Sequence, residues 1–239
     1  MKILALDTAS SLASLALLDG DEVRARTLAG PQSSHSGRIL NELDALLADA
    51  GCALTQLDAI AFGRGPGAFT GVRLACAVAQ GLAMAREIGL VPLDSLAGIA
   101  AAAARRSGRE EALVLVATDA RMQEVYAAEY HVSLAPEAQA QRQGEVRCAP
   151  PAEMAAPQAQ DWLAAGSAFA VYENELAALR ARAAQCFAEL DGCADELARL
   201  AVNAVRDGRL CAPQDAAPLY VRDKVALTTA ERLAAGGRA

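Results

Sequence analysis

An apolar run that stops at an aspartate, turns through a few polar residues and resumes as a second apolar run occurs twice in this 239-residue chain. The first copy is KILALDTASSLASLALLDG, from Lys2, and the second is LVLVATDARMQEVYAAEYHV, from Leu113. Each reads as a strand, a turn and a returning strand. In the first copy Asp19-Gly20 closes a hairpin onto a third strand, because Asp-Gly accepts the positive φ of a two-residue turn. Aligning Asp7 with Asp119 sets the two units about half a chain apart. Repetition at that scale points to a duplicated α/β domain whose two lobes face each other.

Two helices are expected between the units. In SSHSGRILNELDALLADAG, Ile39, Leu40, Leu43, Leu46, Leu47 and Ala50 recur at helical spacing, with Ser34 or Ser36 to start the helix and Gly51 to end it. A buried strand, Ala59 to Phe62, then runs into Gly65-Pro66-Gly67 and a second helix from Thr70 to about Glu87. Pro66 fixes φ and the glycines open conformations closed to other residues. Thr70 is a candidate cap, and the first-turn amides of Gly71, Val72 and Arg73 suit an anion. The loop nevertheless lacks G-x-x-x-x-G-K-[S/T] and the third glycine of a dinucleotide fingerprint, so a sharp strand-to-helix turn explains it as well. The second helix is apolar or small on all sides. Such a helix is central in its own lobe or covered by another chain, and composition does not choose between them. In the second half, residues 134 to 160 read as a loop with a short helix, ENELAALRARAAQ and ADELARLAVNAVRDG as helices, and PQDAAPLYVRDK as an extended exit from the core.

The net charge of −7, with no basic run, disfavours a chain that grips nucleic acid by itself. No apolar stretch reaches the roughly 18 residues of a membrane span, and the short acidic-ended start is not a signal peptide. The six cysteines form no C-x-x-C pair and read as reduced thiols of a cytoplasmic protein.

ILALDTAS, HSGRIL, GRGPGAFTGVRLACAVAQGLA, VPLDSLAGIA, DARMQEVYAAEY and PLYVRD follow one another in this order. Together they resemble the TsaB (YeaZ) family, from residue 3 to about 223, most weakly between 134 and 215. The resemblance implies the duplicated two-lobe actin/Hsp70/sugar-kinase-like fold, with an N-terminal lobe at 1–104, a C-terminal lobe at 105–212 and an extended tail at 213–239. It implies a non-catalytic scaffold in the threonylcarbamoyl-adenosine modification of tRNA. The catalytic sister, TsaD, transfers the threonylcarbamoyl group to N6 of adenosine 37 in tRNAs reading ANN codons. A TsaE-like ATPase joins the complex, tRNA is met only through it, and homodimers form through the same helices when TsaD is absent. The implied contact helices carry Leu40, Leu43, Leu47, Val72, Ala75, Ala79 and Leu82, with a small outward residue such as Ala75 or Ala79 expected to accept arginine without unfolding the chain.

The catalytic sister also carries two metal-binding histidines four residues apart. Here those positions fall at Ser95 and Ile99, and the chain's two histidines, His35 and His131, lie far apart in sequence with no ligand cluster around them. No catalytic residue, metal or cofactor is therefore expected in the isolated chain, and ATP or ADP only within the partner complex. The weak nucleotide or anion candidates are Asp7, Thr8, Gly67, Thr70, Gly71, Arg73 and Asp119. They support an alternative, an ATP-dependent phosphotransferase or hydrolase of the same fold using Asp7 and Asp119. A peptidase would rest on His35 and its neighbouring serines alone, without a G-x-S-x-G elbow.

Overall fold

The computed structural model describes residues 1–28 and 32–222, the side chains of residues 32–34 excepted. β1 (Lys2–Asp7) lies at the centre of a first sheet, flanked by β2 (Ala13–Asp19) and β3 (Glu22–Leu28) on one side and by β4 (Ala59–Gly63) and β5 (Gly89–Leu93) on the other. β1 to β3 pair antiparallel, while β4 and β5 are parallel to β1. The second sheet contains β6 (Glu111–Asp119), β7 (Val125–Ser133), β8 (Gln139–Ala149), β9 (Leu163–Ala165) and β10 (Gln185–Phe187). Its order, β8-β7-β6-β9-β10, repeats β3-β2-β1-β4-β5 strand for strand, with the same senses of pairing. The duplication is thus present in the topology, and Asp7 and Asp119 end the equivalent strands β1 and β6.

Both faces of the central strand are covered, and strand periodicity sorts its residues. Ile3 and Ala5 point into a core shared by the two lobes, while Leu4 and Leu6 point outward into a second core. That outer core is closed by α1 (Gln32–Asp49) and α2 (Phe69–Met84). The shared core contains α3 (Ser95–Ser107) and α6 (Ala194–Arg206), which pack on each other. These two helices are exchanged between lobes. α3 follows the first sheet but packs on β6 to β9; α6 follows the second sheet but packs on β1 to β5. α4 (Ala168–Val171) and α5 (Ala177–Arg182) belong with Trp162 and Phe169 to the outer side of the second sheet.

Three expectations need correction. Within the segment 134–160, read as a loop with a short helix, residues 139–149 form β8, and the short helix is the 3-10 turn Pro151–Glu153. β8 is an edge strand with little buried surface, so its Gln/Arg-rich sequence carries almost no apolar alternation. The boundary expected at 104/105 falls inside α3, and α6, placed in the second lobe from sequence, lies on the first sheet. The segment from 213 does not leave the core. Pro213–Asp215 form a 3-10 turn against α2, where Gln80 Nε2 donates to the Pro213 and Ala216 carbonyls at 2.9 and 3.2 Å. Leu219 N–H then bonds Arg64 O at 2.7 Å, and Arg222 pairs with Glu124 of the second lobe. Residues 213–222 are therefore a strap from one lobe to the other; the rest of the expected tail lies outside the described residues.

The interlobe cleft as candidate functional site

The Gly-Pro-Gly turn joins β4 to α2 as expected, and its glycines allow close backbone approach. A Cβ on Gly71 would come within 1.9 Å of Thr8 O, and one on Gly67 within 2.3 Å of Ala9 O. Ala68 N–H donates to Ala9 O at 2.7 Å, and the Thr8 hydroxyl donates to Gly71 O at 2.6 Å. The start of α2 is thereby seated on the β1–β2 turn. Ala68, not Thr70, occupies the N-cap, and no side chain caps it. Thr70 is exposed.

Asp7 is buried beside this turn. Its Oδ1 accepts from Ala9 N–H at 2.8 Å, an Asx-type turn, and from the Ser95 hydroxyl at 3.3 Å. Ser95, at the start of α3, also accepts from Gly65 N–H at 3.2 Å. Burial pushes the Asp7 carboxyl up to about 6, the Ala9 and Ser95 hydrogen bonds oppose that rise, and nearby Asp191 adds to it. Asp191, just before α6, accepts from the Ser11 hydroxyl at 2.9 Å; burial raises its pKa as well. Across the cleft, Asp119 Oδ1 accepts from Tyr172 OH and Arg121 N–H, both at 2.9 Å, and Oδ2 lies 3.2 Å from Arg121 Nη1.

Asp7, Gly67 and Asp119 line one cavity of about 180 Å³ between the lobes, together with Ser10, Ser11 and Asp191. A neighbouring cavity of about 270 Å³ is walled by Phe69, Arg121, Tyr126 and the strap from Leu219 to Arg222. The structure does not bring the other anion candidates there. Thr8 spends its hydroxyl on Gly71, and Gly71 is packed on Thr8. Arg73 points along the surface, its guanidinium 3.6 Å from the centre of the Phe69 ring and its Nε donating to Tyr220 OH at 2.8 Å. Sequence reading missed Asp191, Tyr172 and the strap. Asp191-Gly192 before a helix was the one available signal; the other two depend on pairing across lobes.

The partner-interface residues divide. Leu43, Leu47, Val72, Ala75 and Ala79 are buried within this chain, Ala75 and Ala79 completely, so they are core and not contact residues. Leu82 is partly buried against the same core. Only Leu40 is open to solvent, 51% exposed, and Phe69 (40%) and Met84 (70%) join it as exposed apolar side chains of α1 and α2. The error has a physical source. α2 is apolar or small around its whole circumference, so its periodicity does not indicate which side meets the sheet.

The family model described as "TsaD: tRNA N6-adenosine threonylcarbamoyltransferase" matches residues 31–229. The structure described as "YeaZ from Pseudomonas aeruginosa" superposes with a TM-score of 0.80 at 36% identity, covering 92% of this chain and 99% of that one. The chain is a TsaB/YeaZ-type member of the TsaD family. The protein named "tRNA threonylcarbamoyladenosine biosynthesis protein TsaB" is 45% identical in Haemophilus influenzae over 127 residues, 53% of this chain and 52% of that protein. Its Escherichia coli namesake is 44% identical over 130 residues, 54% of this chain and 55% of that protein. The chain thus spans about half the length of the curated relatives it matches. Its fold is the duplicated α/β fold of the actin/Hsp70/sugar-kinase type.

In this TsaB/YeaZ-type chain, Ser95 and Ile99 are one helical turn apart on α3 and both line the cleft. They do not suit a metal. The Ser95 hydroxyl is engaged with Asp7 and Gly65, and Ile99 has no donor atom. Among the described residues no group of three His, Cys, Asp or Glu side chains could hold a metal ion. His35 is buried in the first turn of α1, its Nε2 without a partner among the described residues, and His131 is exposed on β7. Neither contributes to the cleft. Among the described residues no helix is long and apolar enough to cross a membrane.

Proposed function

We propose that this chain serves threonylcarbamoyl-adenosine formation in tRNA as a subunit that performs no chemistry itself, joined to a TsaD-like transferase. The names of its TsaB relatives support the pathway. The observation that carries the subunit reading is the Ser95–Ile99 turn of α3, which lines the cleft at the positions where the resemblance sets the sister's histidines, and does so without a metal-binding side chain. The exposed Leu40, Phe69 and Met84 of α1 and α2 support contact through those helices, with the TsaD-like subunit or, in its absence, a second copy. On this reading a TsaE-like ATPase, ATP or ADP and tRNA engage the complex and not the lone chain.

The test is a transfer assay with threonylcarbamoyl adenylate, unmodified tRNA, a TsaD-like subunit and a TsaE-like ATPase, with and without this chain. Modification should require both the chain and the TsaD-like subunit. The double change Leu40→Arg, Met84→Arg should leave the chain folded and weaken partner binding at least tenfold. Equal modification without this chain, or transfer by this chain alone, would overturn the reading. The placement of Asp7 and Asp119 on one cavity favours the phosphotransferase or hydrolase as second reading. It requires Mg-ATP turnover by the pure chain, abolished by Asp7→Asn.

A further inference from the structure

On the seam between the lobes, a separate groove of about 370 Å³ lies between α3, α6, the β2–β3 turn and the segment before β8. None of its lining residues is shared with the interlobe cleft. Three arginines line it: Arg105 from the last turn of α3, and Arg199 and Arg206 from one face of α6. Two of them are held by carboxylates. Arg105 makes a two-point pair with the buried Glu196, Nε to Oε1 at 2.5 Å and Nη2 to Oε2 at 3.1 Å, and Arg206 pairs with Glu137. Arg199 has no carboxylate, and its Nε is buried with no hydrogen-bond partner among the described residues. Leu18, Leu134 and Val202 supply an apolar floor.

A buried guanidinium N–H without an acceptor is unfavourable, and folded proteins satisfy such groups. The nearby carboxylates do not meet that need: Glu196 and Glu137 are committed to Arg105 and Arg206, and Asp21, on the rim, makes no bond to Arg199. A guanidinium carries five N–H donors in a planar fork. Arg105 therefore keeps its Nη1 hydrogens free of Glu196, and Arg206 keeps donors beyond the Nη1 that meets Glu137. The donors left over from two paired arginines line the same groove as a third whose Nε has no partner among the described residues. Such a set fits an acceptor that enters from solvent with several oxygens and a negative charge.

We propose that this groove is a phosphate-binding site anchored by Arg199, with Arg105 and Arg206 as flanking donors. The phosphoryl group comes from a free nucleotide or from an RNA backbone, and the recognition chemistry is the same. The site uses neither the cleft nor the exposed face of α1 and α2. Binding of a nucleotide or of tRNA here by the lone chain replaces the expectation that both engage only the complex, and leaves the non-catalytic subunit role to its own transfer assay.

The test uses the whole chain. Inorganic phosphate and AMP are titrated by calorimetry and thermal shift, and unmodified tRNA by fluorescence anisotropy at two salt concentrations. At least one probe should bind saturably. Arg199→Ala should weaken it at least tenfold with an unchanged circular dichroism spectrum, and Arg199→Lys, which keeps the charge but loses the fork, should retain part of the affinity. Arg121→Ala, in the cleft, should leave binding unchanged. Binding of phosphate and AMP without tRNA assigns the site to a small ligand; tRNA binding that requires Arg199 and falls with salt assigns it to the RNA backbone. The proposal is overturned if no probe binds, if folded Arg199→Ala binds as wild type does, or if Arg121→Ala and not Arg199→Ala abolishes binding.

Discussion

The two lobes share a sheet plan and differ in what covers its outer face. In the first lobe α1 has 18 residues and α2 has 16, and β4 and β5 have five residues each. In the second lobe the chain between β8 and β9 contains only a 3-10 turn, and β9 and β10 shrink to three residues each. The short helices α4 and α5 replace α2, and the large rings of Trp162 and Phe169 fill the outer core in place of helix side chains. The inner faces have not diverged in this way, because α3 and α6 tie each sheet to the other through one shared core. The duplicated fold thus keeps its inner layer and varies its outer one. The lobe with the thick helical layer is also the one with outward Leu40, Phe69 and Met84.

The strongest way to break this comparison is Ala75→Arg. Ala75 is fully buried on the sheet side of α2. An unpaired charge there should cost about 3–5 kcal/mol, a large share of a domain's stability. Little folded protein should be recovered, as judged by circular dichroism and gel filtration. Recovery of stable protein would show that α2 does not hold the orientation described.

Leu43→Ala asks whether the lobes are independent. Leu43 is buried between α1 and the first sheet, and its truncation should cost about 2–5 kcal/mol. Trp162 is the single tryptophan and sits in the second lobe, so its fluorescence reports the distant half. Since α3 and α6 are exchanged, the Leu43→Ala midpoint should fall equally by Trp162 fluorescence and by circular dichroism. A tryptophan transition that does not move would mean that the lobes unfold separately.

The equivalent aspartates give a pH test. Asp7 is buried, whereas Asp119 keeps a partner in Arg121 at the cleft rim. The folded value of about 6 for Asp7 lies above its ordinary 3.8, so the folded state binds this proton more tightly than the unfolded chain does. The contribution of Asp7 to stability is full below pH 3.8, falls as pH rises to about 6 and then stays flat, a total loss of about 3 kcal/mol. Asp7→Asn keeps an acceptor for Ala9 N–H and cannot ionise. Its stability relative to wild type should rise between pH 4 and 6 and level off above. Urea unfolding at pH 4, 5, 6 and 8 measures this, and a gap that does not change with pH would remove the buried charge from the account.

The smallest effect belongs to Met84→Arg, nine residues along the same helix from Ala75. Met84 is 70% exposed, so stability should change by no more than about 0.5 kcal/mol in a melting experiment. A change as large as that of Ala75→Arg would mean that α2 has no outward face.

The sequence by itself determined the duplication, because a strand that ends in aspartate and returns through a turn leaves a local mark each time it occurs. It also determined α1, α2 and α6, and the turn at Gly65-Pro66-Gly67, through periodicity and backbone chemistry that act over a few residues. Asp7 and Asp119 were legible as strand-end carboxylates for the same reason. Only the tertiary structure decided which side of α2 faces inward, since an alanine-rich helix has no polar stripe to mark the outside. It alone decided that α3 and α6 change lobes, that β8 is an edge strand, that Asp191 joins Asp7, and that residues 213–222 strap the lobes together. Those features are made by contacts between residues far apart in the chain, such as Leu219 with Arg64 and Arg222 with Glu124. Such contacts form only when the folded layers bring distant segments together, and no short stretch of sequence encodes them.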